Sequence, residues 1–240
     1  MNNNPIYLRA WGDLACFTRP EMKVERVSYP VITPSAARGL LEAILYKPQF
    51  RWRIHRIAVR RPIQFLAFRR NEVKSKASRN PEPIYADEDR TQRNTLALRH
   101  VDYVIEASLV LTPLAGRPRL SPHGADEPTG DDNLGKYYGM ARRRIEQGQC
   151  FNQPSFGCRE FPAHFELASA AAMQVTSGLN ADADLGLMLY DVFDLDVGDA
   201  WQAGKIEARP QITFFRATLK NGIVEVPAWS EVRKQLGGAA

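Results

Sequence analysis

The chain has 240 residues, 44% of them hydrophobic, which is enough for one large domain or two small ones with a substantial core. Its net charge of +5 is unevenly distributed: residues 181–199 contain six Asp and neither Lys nor Arg, so the basic surplus lies in the first two thirds and indicates a polyanionic partner there. Three cysteines cannot form an even disulfide set, and neither a signal-peptide pattern nor an apolar run of membrane-span length is visible, so we expect a cytoplasmic protein with no membrane partner.

The first elements of the chain are predicted to be a strand and a helix. Residues Ile6–Trp11 have strand character, and an irregular stretch with two prolines follows up to Pro30. Thr33 is a favourable N-cap residue, Pro34 suits the first helical position, and Pro48 ends the helix. The buried face of this helix is predicted from an apolar stripe formed by Ala36, Ala37, Leu40, Leu41, Ile44 and Leu45.

Residues 51–79 are unusually basic, with ten Lys or Arg residues against one acid, Glu72. In the predicted strand Arg51–Val59, basic residues alternate with Trp52 and Ile54, so one face would be basic and the other buried. Guanidinium groups pair with phosphate oxygens and aromatic faces stack on unpaired bases, which favours nucleic-acid binding over a solvated strand face. The candidate RNA-binding residues are Arg38, Arg51, Arg53, Arg69, Arg70, Arg142 and Arg143.

Two further strands are predicted in the middle of the chain. Ile63–Phe68 continues the preceding strand after an interruption near Pro62, and Leu98–Leu111 is a second long strand with alternating apolar residues. Between them, residues 71–96 are polar and charged, which is typical of a mobile excursion from the fold. A loop rich in Pro and Gly then extends over residues 113–131.

A second helix and another strand complete the N-terminal part. Asp131 or Asp132 can cap a helix that runs to about Gln147, and Arg159–Leu167 has strand character. The order strand, helix, strand, strand, helix, strand is the βαββαβ plan of the ferredoxin-like (RRM-like) α+β fold. The open sheet face of that fold is a common platform for RNA.

The C-terminal remainder is predicted to be a small antiparallel β subdomain. Strands are expected near Leu185–Leu195, Ile212–Leu219 and Ile223–Val226, and no helix is convincing there. We therefore divide the chain into a ferredoxin-like domain, residues 1–170, and a β subdomain, residues 171–240.

The sequence lacks the common motifs for nucleotide binding, serine hydrolysis and zinc hydrolysis. One acidic cluster could bind a divalent ion, but it lacks the Gly and the terminal Glu of a calcium loop, so a solvated strand edge and turn is favoured. That cluster consists of Asp191, Asp194, Asp196 and Asp199. We expect no metal site and no cofactor.

Cleavage of RNA, if it occurs, would then follow a metal-independent route. The ribose 2′-hydroxyl attacks its own phosphate, which requires a base, an acid at the leaving 5′-oxygen and a cation beside the phosphorane.

Two regions of the sequence resemble a known family. The first is KVERVSYPVITPSAARGLLEAILYKPQFRW, residues 23–52, followed by RRNEV at residues 69–73; the second is NLGKYYGMARRRIEQGQCFNQPSFGCREFPA, residues 133–163. Together they resemble the CRISPR-associated RAMP-superfamily proteins of subtype I-C (Dvulg), which process precursor CRISPR RNA. The resemblance implies a ferredoxin-like domain with a β subdomain. It also implies metal-independent cleavage in the repeat hairpin, and retention of the 5′ handle in a type I-C surveillance complex with its other subunits.

The same resemblance implies a catalytic group made of a Tyr near the end of the first helix and a Lys-His pair in the second segment. Tyr46 corresponds to the Tyr, and Lys136–Tyr137 corresponds to the Lys-His pair, with Tyr137 or Tyr138 in place of the His. A Lys near a helix N-terminus is unfavourably placed with respect to the helix dipole, which supports a phosphate contact for Lys136. The next candidates are His123 and His164.

Other interpretations of these residues stay open. Tyr46 could be an amphipathic cap on the core, Arg142–Arg144 could be a solvated helix face, and the cysteines are expected to be buried small hydrophobes. At the level of function, the alternatives are a subunit that binds the RNA handle without cutting it, and a general binder of double-stranded nucleic acid, including duplex DNA.

Overall fold

The computed structural model describes residues 5–75, 83–112, 114–116, 119–120, 126–127, 132–176, 178–191 and 212–237. The strands are β1 (Ile6–Ala15), β2 (Arg26–Val27), β3 (Phe50–Val59), β4 (Phe65–Val73), β5 (Arg90–Leu111), β6 (Arg119–Leu120), β7 (Asp126–Glu127), β8 (His164–Ala168), β9 (Ala183–Asp191), β10 (Thr213–Lys220) and β11 (Ile223–Glu225). The helices are α1 (Pro34–Ile44), α2 (Leu134–Glu146) and α3 (Trp229–Gly237), and residues Ala170–Met173 form a 3₁₀ helix.

One large, mostly antiparallel sheet organises the molecule, in the order β8-β1-β5-β3-β11-β10-β9, with β2 and β4 also paired to β5. The predicted α+β class is therefore confirmed. The 22-residue strand β5 is long enough to have two successive partners on one side: β4 pairs with its first part and β3 with its last part. The interruption predicted near Pro62 is thus the point at which the chain passes from one part of β5 to the other. Proline, which cannot donate to a ladder, suits this break.

The prediction of an excursion over residues 71–96 was wrong at both ends. Residues 71–73 belong to β4 and residues 90–96 to β5, and these two segments pair with each other from Asn71↔Gln92 to Val73↔Arg90. These strands are polar because both faces of this two-stranded arm are largely exposed, so they lack the apolar alternation that predicts a strand. Residues 76–82 lie outside the described residues.

Helix α1 agrees with its sequence pattern. The Thr33 side chain accepts a hydrogen bond from the N–H of Ala36 at 3.2 Å, and Pro34 occupies the first turn. The apolar stripe packs against the sheet, and Leu45, the C-cap residue, is extended and buried. The N-cap of α2 was predicted incorrectly: Asn133, not Asp131 or Asp132, accepts from the N–H of Lys136 at 2.8 Å.

The C-terminal strands do not form a separate sheet. Strand β11 pairs with β3, so β9, β10 and β11 extend the sheet of the N-terminal part. The prediction of no helix was wrong, since α3 lies at the end of the chain and the ring of Trp229 stacks on Tyr190 with centroids 5.9 Å apart. The predicted strand Leu185–Leu195 is seen as β9, and residues 192–211 lie outside the described part. The division at residue 170 stays a prediction.

The two faces of the sheet differ in character, as the alternation in β3 predicts. Phe50, Trp52 and Ile54 are buried on the face that packs against α1 and α2, whereas Arg51 and Arg53 lie on the opposite, open face. The register shifts between Ile54 and Arg56, so the bulge residue His55 is inserted there. In the described part of the chain, we find no helix with the length and apolar character needed to cross a membrane.

Candidate functional site

The turn that follows α1 is held firmly while it exposes Tyr46. The Leu45 carbonyl accepts from the indole N–H of Trp52 at 3.0 Å. Thr112 fixes the rest of the turn, because its hydroxyl donates to the Pro48 carbonyl at 2.6 Å and its N–H donates to the Gln49 carbonyl at 2.9 Å. Tyr46 itself is 52% exposed. Its exposure argues against the core-cap interpretation and leaves the phenol accessible to a ligand.

The start of α2 places Lys136 and Tyr137 in different environments. The Tyr137 ring is 1% exposed, packs against Phe50 with centroids 4.9 Å apart, and its hydroxyl donates to the buried carboxylate of Asp132. The side chain of Lys136 is 40% exposed, and its Nζ lies 3.9 Å from the same carboxylate. Lys136 is therefore available to a phosphate, while the burial of Tyr137 favours a positioning role over direct contact with RNA.

Phe50 connects these two parts of the site. It follows the Tyr46 turn at the start of β3, and its ring touches Tyr137 at the start of α2. The fold thus brings the ends of two segments that are about 90 residues apart in sequence into one region. This packing is the physical link between the two regions that the sequence analysis identified separately.

The C-terminal end of α1 is capped by the last turn of α2 and by the segment that follows it. The Arg144 guanidinium donates to the Ile44 carbonyl at 2.9 Å, and the N–H groups of Phe151 and Asn152 donate to the Ala43 carbonyl at 2.8 and 3.0 Å. Phe151 is 72% exposed. Phe151 was not among the residues predicted from the sequence, where the available signal was an aromatic side chain among Gln, Gly and Asn residues. We use the name helix-end surface for exposed residues at the ends of α1 and α2: Tyr46 after α1, Lys136 in the first turn of α2, Arg143 in its last turn, and Phe151 after it.

Two of the predicted RNA-binding arginines are engaged inside the protein. Arg38 donates to both oxygens of Asp191 at 2.9 Å and to Glu42 at 2.7 Å. Arg70 donates to the Thr95 hydroxyl at 2.5 Å and forms an ion pair with Glu72. These contacts disfavour the RNA-binding roles predicted for Arg38 and Arg70, because a phosphate would have to displace well-placed carboxylates.

The other predicted arginines are more accessible. Arg53, Arg69 and Arg143 are exposed, and Arg51 is half-buried. Arg142 forms an exposed ion pair with Glu146 at 2.9 Å. An exposed pair of this kind contributes little stability, so its guanidinium can exchange the carboxylate for a phosphate at small cost.

The open face of the sheet carries a network of ion pairs. Arg9 donates to Asp102 at 2.8 Å and to Glu166 at 2.8 Å, and Arg56 pairs with Glu106. The hydrogen bond to Asp102 raises the pKa of the Arg9 guanidinium above its ordinary value. These arginines are therefore structural cations rather than free phosphate ligands.

Histidines on the open face make local contacts. His55 Nε2 lies 2.7 Å from the Ser108 hydroxyl, and burial, followed by the charge of Arg53, lowers the pKa of His55 below 6.5. His164 is exposed and stacks on Trp11 with ring centroids 5.8 Å apart. His123 lies outside the described residues.

Of the acidic cluster, only Asp191 lies among the described residues, and the expectation that it is solvated was wrong. Asp191 is buried and paired with Arg38, and Asp194, Asp196 and Asp199 lie outside the described residues. Among the described residues, no three His, Cys, Asp or Glu side chains are grouped so that they could hold a metal ion.

Two of the three cysteines are buried, as expected for small hydrophobes. Cys16 and Cys158 are neighbours, and the Cys158 sulfur accepts a hydrogen bond from the Arg26 guanidinium at 3.1 Å. A hydrogen bond from the Cys158 thiol holds the pKa of the Cys16 thiol below its ordinary value. Cys150 is half-buried against the core, and all three are free thiols.

The family model described as "CRISPR-associated protein (Cas_Cas5)", the Cas5d model, matches residues 6–227. The chain is 44% identical over 239 residues to the "CRISPR pre-crRNA endoribonuclease Cas5d" of Mannheimia succiniciproducens, covering 93% of this chain and 95% of that protein. It is 41% identical over 230 residues to the Thermus thermophilus protein of the same name, covering 93% and 91%. A solved structure titled "Crystal Structure of CRISPR-associated Protein" superposes with a TM-score of 0.64 at 22% identity, covering 95% and 94% of the chains.

Proposed function

The chain belongs to the Cas5d family of CRISPR-associated proteins, and from this premise we propose that it is an endoribonuclease that cleaves precursor CRISPR RNA within the repeat. Two relatives above 40% identity, both named as pre-crRNA endoribonucleases, support the activity. The observation that carries the location of the site is the exposed Tyr46, held in a rigid turn that Phe50 connects to the start of α2 and to Lys136.

The proposed reaction is a transesterification in which the ribose 2′-hydroxyl is the nucleophile. Its oxygen attacks the adjacent phosphorus and loses its proton, the bond to the 5′-oxygen breaks, and that oxygen gains a proton. The products are an upstream 2′,3′-cyclic phosphate and a downstream 5′-hydroxyl. This route uses proton transfer and charge stabilisation, which side chains alone can supply.

We assign two side chains to this reaction. Lys136 stabilises the negative charge that accumulates on the phosphorane, because its ammonium is accessible and held near the start of α2. Tyr46 transfers a proton at the 2′-oxygen or the 5′-oxygen, since its phenol is exposed on a fixed turn. Tyr137 positions both residues. Its ring packs against Phe50, which follows the Tyr46 turn, and its hydroxyl binds Asp132, the carboxylate near Lys136.

We propose that the RNA path continues over the accessible cations. Arg53, Arg69, Arg142 and Arg143 are exposed, and Arg51 is half-buried on the open face of the sheet. After cleavage, the protein would retain the 5′ handle and bind the other subunits of a type I-C surveillance complex. The free thiols agree with the cytoplasm as the place of this reaction.

The finer description of the fold is also a proposal. The portion β8-β1-β5-β3, with α1 between β1 and β3 and α2 between β5 and β8, has the strand order and antiparallel directions of a ferredoxin-like domain. We assign residues 1–170 to that domain and residues 171–240 to a β extension of its sheet.

The decisive experiment incubates the purified protein with the repeat RNA of its own locus, with and without EDTA. Cleavage should survive the chelator and leave a 2′,3′-cyclic phosphate, and a 2′-deoxy substitution at the scissile nucleotide should block it. Efficient cutting of the deoxy substrate would exclude the mechanism. Binding without cutting would identify a handle-binding subunit, and competition by unrelated duplex DNA would identify a general duplex binder.

A further inference from the structure

Phe151 is an exposed aromatic residue on a rigid support. Its side chain is 72% exposed, the largest exposed fraction among the large apolar side chains of the described residues. Burying such a ring is favourable by about 2 kcal/mol, so its exposure is costly unless a ligand covers it. An exposed ring without a function would be expected on a mobile loop, whereas the backbone of Phe151 is hydrogen-bonded.

The backbone around Phe151 is anchored at three points. The N–H groups of Phe151 and Asn152 both bind the Ala43 carbonyl, and the Gln149 N–H binds the Arg144 carbonyl at 2.8 Å. The preceding residue, Cys150, packs partly into the core. The backbone that carries the ring is therefore fixed, which limits the conformational entropy lost when a ligand stacks on the ring.

The same contacts make the end of α1 suitable for an anionic ligand. The last carbonyls of a helix carry partial negative charge and would repel a phosphate. Here the Ala43 carbonyl accepts from two N–H groups, and the Ile44 carbonyl accepts from the Arg144 guanidinium. The exposed Arg143 lies in the last turn of α2, so a cation accompanies the aromatic ring.

Phe151 is also close in space to Tyr46, because it is hydrogen-bonded to a residue just before Tyr46. Its N–H binds residue 43, and Tyr46 follows three residues later, a distance that an extended chain spans in at most about 11 Å. Tyr46 and Phe151 therefore lie at the same end of α1 and are within reach of one short stretch of RNA.

We propose that Phe151 is a stacking platform for an unpaired nucleobase of the repeat RNA near the scissile phosphate. This inference rests on the proposed function. An aromatic ring beside cations is the arrangement by which proteins hold unpaired bases, since every base offers a π-face and the adjacent phosphate meets the cation. The platform orients the strand so that the 2′-hydroxyl is presented to the Tyr46 turn.

The test compares Phe151→Leu, Phe151→Trp and the wild type. Leucine keeps the apolar volume but removes the π-face, so repeat-RNA affinity should fall by about fivefold to about 150-fold, the equivalent of one lost stack. Tryptophan should restore binding to within about twofold of wild type. Leu187→Ala, at another exposed apolar position, on the edge strand β9, is the matched control and should bind like wild type.

A fluorescent base identifies the contact directly. 2-Aminopurine is placed at each unpaired position of the repeat RNA in turn, and one position should lose fluorescence on binding to the wild type and the Trp variant but not to the Leu variant. Equal affinity of wild type and Phe151→Leu, with no position that differs, would overturn the inference. A wild-type protein that neither binds nor cuts the repeat would instead overturn the proposed function.

Discussion

On the open face of the sheet, Arg9 and Arg56 each lie against a carboxylate, whereas the helix-end surface exposes Tyr46 and Phe151 to solvent and leaves Lys136 half-exposed. Both regions are rich in cations and aromatic rings in the sequence. In the folded protein, Arg9 and Arg56 hold strands together, whereas the cations of the helix-end surface stay accessible. A count of arginines in a segment therefore measures neither the surface potential nor the capacity to bind RNA.

The same contrast separates residues that are close in sequence. Arg69 is exposed, while the next residue, Arg70, is bound to Glu72 and Thr95. Alternation along a strand sends neighbouring side chains to opposite faces, so adjacent cations have different partners.

The largest effect is expected at a structural cation. Arg38→Ala should lower the free energy of unfolding by about 3–5 kcal/mol, because the Asp191 side chain, 4% exposed, loses its bidentate partner. Denaturant unfolding measures this change. Glu42→Ala is the matched control, since it removes only the i,i+4 partner of Arg38 and should cost about 0.5 kcal/mol or less. A stable Arg38→Ala variant with weakened RNA binding would return Arg38 to the RNA-binding set.

The next effect is expected in catalysis at the helix-end surface. Lys136→Ala should slow single-turnover cleavage of repeat RNA by about 10²–10³, because the cation beside the phosphorane is removed. Its thermal stability should change little, as the side chain is 40% exposed. Lys136→Arg keeps a cation and should recover part of the rate. Cleavage by a folded Lys136→Ala variant at the wild-type rate would place the site elsewhere, with His164 as the next residue to test.

A smaller loss of rate is expected from Tyr46→Phe. This change removes one hydroxyl from an exposed ring, so single-turnover cleavage should slow by about 10², the lower range for one acid–base group. RNA affinity should remain within about twofold of wild type, because the aromatic ring is kept. Equal losses of rate and affinity would instead indicate that the hydroxyl binds RNA in the ground state.

The paired and accessible arginines should differ in their salt dependence. Arg69→Ala should reduce the slope of log affinity against log salt by about 0.7–0.9, the value for one lost phosphate contact. Arg70→Ala should leave that slope unchanged and lower stability, because its contacts are inside the protein. Titrations at four salt concentrations, with denaturant unfolding of both variants, test the comparison. A smaller salt slope for Arg70→Ala, with no change of slope for Arg69→Ala, would contradict this assignment and show that Arg70 is the residue that contacts phosphate.

The smallest effect concerns pH and the open face. The folded-state pKa of His55 lies below 6.5, so the unfolded chain takes up a proton first as the pH falls. The stability that His55 contributes is therefore present above 6.5 and is lost as the pH drops through that value toward the folded-state pKa. His55→Gln should show a shallower loss of unfolding free energy between about pH 7.5 and about pH 5. Parallel curves for the two proteins would contradict this assignment.

The local patterns of the sequence were sufficient for several elements. The cap at Thr33 and the apolar stripe predicted α1, and the alternation after residue 50 predicted both the strand and its two faces. These features depend on contacts within a few residues, so short stretches of sequence are enough to predict them. The cap of α2 was misplaced by one or two residues because Asp132 and Asn133 are equally good cap residues, and only the path of the backbone selects between them.

The pairing of strands that are far apart in sequence could not be predicted from such local patterns. Nothing local shows that β3 and β4 share one long partner, or that β11 joins β3 and extends the sheet. The same limit applies to the site. The packing of Phe50 on Tyr137 joins the Tyr46 turn to the start of α2, and the hydrogen bond from Phe151 to Ala43 joins Phe151 to the end of α1.

The sequence by itself determined the α+β class, the helix α1, the basic and buried faces of β3 and, through two long segments, the family to which the chain belongs. The tertiary structure alone decided which arginines are accessible, that Tyr137 is buried while Tyr46 is exposed, and that Phe151 lies at the end of α1. The reason is physical: propensity, capping and alternation act over a few residues. Burial and ion pairing depend instead on partners far away in the chain, such as Asp191 for Arg38.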